Sequence, residues 1–414
     1  MTIHSKLALA AGIAAFVAAS GASAQQFRAL GQVEHSGHTF HAKVCPGFEG
    51  PMSARCFAHV VTDAAGNIQT SNATRNATPA GFGSATLRAA YGITGMGSSS
   101  TIVAIVDAYG YPNAASDLAV YRQTMGLPAC TTTSGCLTIV NQTGGNRLPK
   151  TNTGWDQEQA LDLDMVSSMC PNCRILLVQA SSTSYANLGQ AVNTAANRGA
   201  LVISNSYGGG EGGTTSYEPD YNHPGVTVTA SAGDSGYGAQ FPATSPHVVA
   251  AGGTSLTMNG NSYLSESVWS GTGSGCSTVY NAPSWQVGTA AHSACTRRME
   301  TDVSAVADPN TGVAVYGPPG GTRSAWMVFG GTSVSAPLLG GIYGEVGANC
   351  GSTDPNNVAS YCASKLYTNG VAGTGFHDVT MGSNGSCGGT YFCTAETGYD
   401  GPTGWGSPNT ATAF

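Results

Sequence analysis

The hydrophobic pattern of the chain alternates between short β-branched runs and longer amphipathic stretches. Ser100–Val106 is a near-continuous β-branched run ending at Asp107, as expected of a strand buried on both faces of a parallel sheet. Further short apolar runs, at Leu137–Asn141, Arg174–Gln179, Ala200–Ser204, Val226–Ser231 and His247–Ala251, predict more strands. Helical spacing fills the gaps between them. Leu87, Ala90 and Tyr91 share one face within Pro79–Gly92, and Leu118, Tyr121 and Met125 share one within Ser116–Met125. The clearest helix is Trp155–Met169, with Trp155, Leu161, Met165, Val166 and Met169 near i, i+3/i+4 spacing. Tyr185–Arg198 is another, closed by Gly199, and the small-residue run Val334–Val346 is a helix entering a core. Strands alternating with helices predict an α/β fold, a doubly wound, mostly parallel sheet. Such sheets bind ligands beyond the carboxyl ends of their strands, and Asp107, Ser206 and Asp234 lie at or just past those ends.

The amino-terminal stretch has a different character. Lys6, the apolar run Leu7–Ala19 and the small-residue site Ala22-Ser23-Ala24 predict a signal peptide over 1–24, cleaved after Ala24. That apolar run is too short to span a bilayer, and no later one reaches about 18 residues, so a secreted protein without a membrane anchor is expected. Residues 25–78 are polar, contain one cysteine pair and end in the Asn/Thr/Ala-rich run Thr70–Thr78. They read as an N-terminal segment, a candidate short pro-region, with a linker; residues 79–414 read as the main domain.

Composition sharpens this picture. Twelve cysteines fall into close neighbours, Cys45/Cys56, Cys130/Cys136, Cys170/Cys173, Cys276/Cys295, Cys350/Cys362 and Cys387/Cys393, which in an exported chain predicts six local disulfides stapling loops. Only Cys170-Pro171-Asn172-Cys173 has zinc-knuckle spacing, and it lacks a second pair. Charged residues make up only 9% of the chain, a surface that changes little when carboxylates protonate and so suits acid. A net charge of −7 without a Lys/Arg cluster argues against nucleic acid as a partner.

The candidate chemistry centres on Phe329-Gly330-Gly331-Thr332-Ser333, a tight loop leading into the helix after it. A serine there has its hydroxyl exposed near free N–H groups, as a nucleophile needs; equally, Thr332 or Ser333 could be a helix cap. On the Trp155–Met169 helix, Glu158 and Asp162 are spaced i, i+4 and share a face. They read either as a solvated acidic face together with Asp156 and Asp164, or as a coupled pair acting as base on Ser333. Asp234, in Ser231-Ala232-Gly233-Asp234-Ser235-Gly236, is a turn residue or, if protonated, an oxyanion donor. None of the nine histidines lies between Asp107 and Ser206, where a subtilisin-type base belongs; the Glu158 helix occupies that place.

Taken together the chain resembles the sedolisins, the serine-carboxyl peptidases of subtilisin-like fold. The matching residues are Glu158 through Asp162, Ser204 through Gly208, Ser231 through Gly236, Phe241 through Pro246 with Gly252-Gly253-Thr254, and Gly330 through Ser333 with Pro337. The resemblance, from about Phe82 to Asn409, implies Ser333 as nucleophile, Glu158 as general base and acid, Asp162 as its partner and Asp234 as oxyanion donor. It implies that Ser204, Ser206, Tyr207 and Gly208 line the substrate cleft by strand-like pairing with a peptide. It also implies one calcium site, with carboxylates from Asp378 and Asp400 and main-chain carbonyls from Val379, Glu396 and Gly398. Two departures stand out: the family's long N-terminal activation domain has only Gln25–Thr78 in its place, and Asp107 stands where subtilisins keep their triad aspartate. The expected protein is a monomeric, secreted, acid-active serine endopeptidase with protein and peptide substrates. Its rivals are a subtilisin-like Ser-His-Asp protease of neutral to alkaline optimum, and a non-catalytic secreted binding protein on the same scaffold.

Overall fold

In the computed structural model the described residues are Met1, 26–71, 79–321, 323–347, 350–371 and 373–414. The expected signal peptide, apart from Met1, and most of the expected linker lie outside them. The first strands, Val33–Ser36 (β1), Thr39–Lys43 (β2), Arg55–Cys56 (β3) and His59–Thr62 (β4), all come from the polar N-terminal stretch. Then follow Ser84–Ala90 (α1), Ile102–Ala108 (β5), Ala114–Thr124 (α2), Leu137–Asn141 (β6), Thr153–Met169 (α3), Arg174–Ala180 (β7), Tyr185–Asn197 (α4), Val202–Asn205 (β8) and Tyr207–Gly208 (β9). The chain continues through Thr227–Ser231 (β10), Val249–Asn259 (β11), Ser262–Val268 (β12), Gly275–Asn281 (β13), Arg297–Glu300 (β14), Val303–Val306 (β15), Val313–Gly317 (β16), Ala325–Gly330 (β17), Thr332–Glu345 (α5) and Ala363–Val371 (α6).

The central sheet has eight strands in the order β12-β11-β10-β8-β5-β7-β6, with β15 also on β11. All its pairings are parallel except that of β12 with β11. This is the mostly parallel α/β sheet that the alternation of runs implied, of the subtilisin-like type that the resemblance implied. The β5 strand runs further than its apolar stretch: Asp107 pairs with Gln179 and Ala108 with Ala180. Asp107 is therefore the penultimate residue of β5, at the carboxyl end where the apolar run places it.

Two helices position the chemistry. Asn152 caps α3, its side chain accepting the N–H groups of Gly154 and Trp155. Except for Asp156, the helix is buried from Gly154 onward, including Gln157, Gln159, Ser167 and Ser168, so it has no solvated acidic face. The α5 helix packs against α3 and against β8 and β10. The approach depends on small residues: a Cβ on Gly341 would stand 2.6 Å from the Cβ of Met169 on α3. Pro337 inside α5 has no N–H for the carbonyl of Ser333, four residues earlier. The Ser206 hydroxyl instead comes within 3.5 Å of that oxygen.

A second, five-stranded sheet has the order β1-β2-β4-β17-β16. It joins the N-terminal strands to the hairpin that delivers Ser333, while β3 pairs with β9. All twelve cysteines are paired, in the six local bridges that their spacing predicts. The Cys170–Cys173 pair is thus a staple rather than a zinc or redox motif. Among the described residues, no helix is long and apolar enough to cross a membrane.

The close helix contact is testable. Gly341→Val forces rigid β-branched atoms into the Met169 position, and overpacking of this kind destabilises by about 1–3 kcal/mol. Denaturant melts should show a lower midpoint with an unchanged slope; an unaltered midpoint contradicts the packing described.

Candidate active site

Ser333 is presented by a backbone that only glycine leaves open. Gly331 has φ +95°, and a Cβ on it would stand 1.9 Å from the Phe57 carbonyl oxygen and 2.6 Å from Asp234 Oδ2. Neither Thr332 nor Ser333 caps α5. Asp234 does so from the loop after β10: its Oδ1 accepts the Thr332 N–H and the Thr332 hydroxyl, both at 2.8 Å. Thr332 Oγ1 in turn accepts the Gly233 N–H at 3.1 Å, which ties the two loops together. Asp234 Oδ2 is buried without a hydrogen-bond partner.

Ser333 is fully buried. Its hydroxyl donates to the Ser206 carbonyl at 3.1 Å and accepts the Phe57 N–H at 3.1 Å. Glu158 and Asp162, one turn apart on α3, are also fully buried. Glu158 Oε2 accepts the Ala58 N–H at 3.1 Å, and Asp162 Oδ1 accepts the Ser206 hydroxyl at 2.7 Å. Asp107 completes a cluster with them, and neither of its carboxyl oxygens has a partner. Burial pushes the Asp107 carboxyl up to about 8. Glu158 is raised well above the ordinary carboxyl range by burial and then by Asp107, an effect that the nearby Ser333 hydroxyl and the Ala58 N–H oppose. Asp162 is raised by burial, Asp107 and Glu158. Three carboxyl groups in one dry space cannot all ionise, so the cluster shares protons.

Tyr207 and Gly208 offer main chain to the cleft, pairing with Cys56 and Arg55, and Ser206 offers its carbonyl. The Tyr207 side chain points away, to Asn205 Oδ1. Ser204 lies deeper, inside the sheet in register with Thr229 and Ile105. The imidazole that reaches the site is His59, whose Nε2 is 3.3 Å from Asp234 Oδ2 and whose Nδ1 is 2.8 Å from His41 Nδ1. It makes no bond to Ser333, which removes the geometric basis for a Ser-His pair. Burial, with His59 beside it, holds His41 down at about 4.

The Asp378 and Asp400 loops meet at the other end of the chain. Asp378 Oδ2 accepts the Gly398 N–H at 3.0 Å, and Asp400 accepts the N–H groups of Glu396 and Thr403. Burial raises Asp400 to about 7, and the charge of Asp378 adds to the rise. No described residue donates a hydrogen bond to the carbonyls of Val379, Glu396 or Gly398. Two neighbouring carboxylates and free carbonyls are an all-oxygen donor set, which fits the ligand preference of Ca²⁺.

Sequence reasoning placed Asp107 at a strand end near the carboxylate network without a catalytic role, and missed Thr332 as the link to Asp234. It also missed the main chain of Phe57 and Ala58, which fills the cleft. For Asp107 a signal existed in a carboxylate at the end of an apolar run; for Phe57 and Ala58 there was none, since their partners are far away in sequence. A cavity of about 930 Å³ bordered by Trp285, Tyr367 and Phe414 includes none of these residues.

Comparison with known proteins places the chain among peptidases. The subtilase (Peptidase S8) family profile matches residues 137–376. Kumamolisin of Bacillus sp. (strain MN-32) is 30% identical over 352 residues, covering 77% of this chain and 59% of kumamolisin. Sedolisin of Pseudomonas sp. (strain 101) is 32% identical over 208 residues, 44% of this chain and 33% of sedolisin. The chain thus spans less than two thirds of the length of either relative, 59% of kumamolisin and 33% of sedolisin. Among solved structures, Pseudomonas sedolisin, a serine-carboxyl proteinase complexed with pseudo-iodotyrostatin, superposes with TM-score 0.65 and 26% identity over 81% of this chain and 97% of that one.

The buried carboxyl groups set the pH dependence of stability. Asp107 titrates at about 8 when folded and at about 3.9 when unfolded. The folded state therefore binds the extra proton between those values, and its stabilising contribution is full below the lower one and lost as pH rises through the upper one. The melting temperature should be higher at pH 4 than at pH 8, and Asp107→Asn should narrow the difference. A melting temperature that rises with pH over this range contradicts the protonated cluster.

Proposed function

The chain belongs to the subtilase family, in its sedolisin branch, and from that premise we propose that it is a secreted serine-carboxyl endopeptidase that hydrolyses proteins in acid. The observation that carries the reading is the convergence of Ser333, Glu158 and Asp234 on the main chain around Phe57. Ser333 Oγ and Glu158 Oε2 bond the N–H groups of Phe57 and Ala58, and the carbonyl between them faces Gly331 and Asp234.

In the proposed reaction Ser333 Oγ attacks the scissile carbonyl carbon while Glu158 takes its proton. Glu158 then returns that proton to the leaving amine, and an acyl-enzyme on Ser333 is hydrolysed by water. Asp107, Glu158 and Asp162 share protons across the cluster, and the Ala58 N–H on Oε2 favours the ionised form of Glu158 within it. Asp162 orients the site through the Ser206 hydroxyl. Asp234 in its protonated form donates from Oδ2 to the developing oxyanion. Ser206, Tyr207 and Gly208 align the substrate main chain; Ser204 supports them from inside the sheet.

An oxyanion donor that must stay protonated places the working range in acid. Calcium is proposed for the Asp378/Asp400 loops, where it would neutralise two carboxylates and hold the two halves of the C-terminal region together. Export through the N-terminal signal supports the disulfides and matches the sparse surface charge. Substrates are proteins and peptides, with no role for nucleic acid or membrane, and the working unit is a monomer.

Peptide hydrolysis measured from pH 2 to 9 should peak below about pH 5. Ser333→Ala should lower kcat at least about 10³-fold, and Asp234→Asn about 10²–10³-fold, with Glu158→Gln also inactive. A peak above pH 7, or activity that survives Ser333→Ala, contradicts the reading. Calcium chelation should lower the melting temperature, and Asp378→Asn should abolish that response; a chelator-insensitive wild type refutes the calcium site.

A further inference from the structure

The pairing of the N-terminal strands gathers a second polar cluster, apart from the carboxyl groups on α3. Glu34 on β1 stands directly opposite His41 on β2. Across β2 and β4, His41 stands opposite Val61 and Lys43 opposite His59. Paired residues share a face and side chains alternate along a strand, so Glu34, His41, Lys43 and His59 all project from one side of the sheet. The two imidazoles are buried. Glu34 is partly exposed and forms an ion pair with Lys43 at 3.1 Å. A cavity of about 450 Å³ borders this face and also touches Asp234, Trp269 and Asn384.

The two rings meet nitrogen to nitrogen. His41 Nδ1 lies 2.8 Å from His59 Nδ1, so one ring donates a proton and the other accepts it. Glu34 completes the group, since one ligand atom from each of the three residues falls within 4.8 Å of the others. Tetrahedral Zn–N bonds of about 2.0–2.1 Å place two nitrogens about 3.3 Å apart, so an ion replacing the shared proton needs the rings to part by about 0.5 Å. Glu34 must give up Lys43, and ion pairs at an exposed edge are weak. Behind the pair, His59 Nε2 is buried without a hydrogen-bond partner, and so is Asp234 Oδ2, 3.3 Å away. A metal on Nδ1 puts the ring proton on Nε2, beside that carboxylate. This is the carboxylate–histidine–metal arrangement that orients a ligating ring and raises its basicity.

We propose that Glu34, His41 and His59 bind one Zn²⁺ ion, with Asp234 as the positioning carboxylate behind His59. Two imidazoles and one carboxylate suit zinc and its transition-metal neighbours. The set differs from the all-oxygen donors of the Asp378 and Asp400 loops, which suit calcium. The cavity leaves room for water at the fourth position. With the ion bound, β1, β2 and β4 are fastened through His59 and Asp234 to the loop after β10, a link that none of the six disulfides makes. The inference does not depend on the peptidase reading, because binding and melting can both be measured with Ser333 removed.

The test uses the full chain carrying Ser333→Ala at pH 7, with Ca²⁺ in excess to fill the other site, and titrates Zn²⁺ by calorimetry. The expected result is one Zn²⁺ per chain and a raised melting temperature. Co²⁺ in its place should show the intense visible absorption of a tetrahedral site. His41→Asn and His59→Asn should abolish binding, and Glu34→Gln should weaken it at least about tenfold. Asp234→Asn should lower the affinity about 10–100-fold while the stoichiometry stays at one. His35 and His38 are exposed neighbours, and changing both to Asn should leave the affinity as it was. A chain that gives neither heat of binding nor a shift in melting temperature overturns the inference. So does zinc binding that survives His41→Asn or vanishes with His35 and His38. Because Glu34 is partly exposed, Glu34→Gln keeps the test decisive where a histidine variant fails to fold, and unaltered affinity there contradicts the ligand set. Unaltered affinity in Asp234→Asn contradicts its positioning role.

Discussion

The structure depends on three carboxyl groups, Asp107, Glu158 and Asp162, buried together without a basic partner. None of them takes part in any of the ion pairs among the described residues. A buried carboxylate without a counter-charge is unstable enough to keep its proton, so the arrangement is tolerable only while the cluster is partly protonated. Fold and proposed chemistry then favour the same acid conditions. The sparse charge elsewhere on the chain fits that balance, because few other groups change state in the same range.

The cluster also explains why α3 and α5 meet so closely. Glu158 can reach the Ser333 hydroxyl only if the helix carrying it lies against the helix that follows Ser333. The small residues of α5, Gly341 among them, permit that approach. Asp234 holds the other side of α5 by accepting two bonds from Thr332. Ser333 is positioned from two directions, by a carboxyl beneath it and a carboxyl at its helix terminus.

Much of this was legible in the chain. Each strand of the central sheet found from an apolar run is present, and the i, i+4 spacing of Glu158 and Asp162 placed them on one face. What the spacing does not contain is burial. The α3 helix encloses glutamines, serines and acids on nearly every side, so its polar residues read as solvated until its neighbours are known. Asp107 was placed correctly at its strand end, but nothing in the sequence shows that it is fully buried and protonated there. Ser204 and Ser206 look equivalent in the motif, yet one lies inside the sheet and the other at the cleft. The role of Arg55–His59 was invisible, since strand pairing with Tyr207–Gly208 and Phe329–Gly330 joins residues with no local pattern in common.

The most direct measurement of the central claim is the protonation state of the cluster itself, read by infrared difference spectroscopy of the folded Ser333→Ala protein at pH 6. The account predicts a carboxylic-acid carbonyl band that persists at that pH and weakens in Asp107→Asn. A spectrum in which every carboxyl group is already ionised at pH 6 would contradict it.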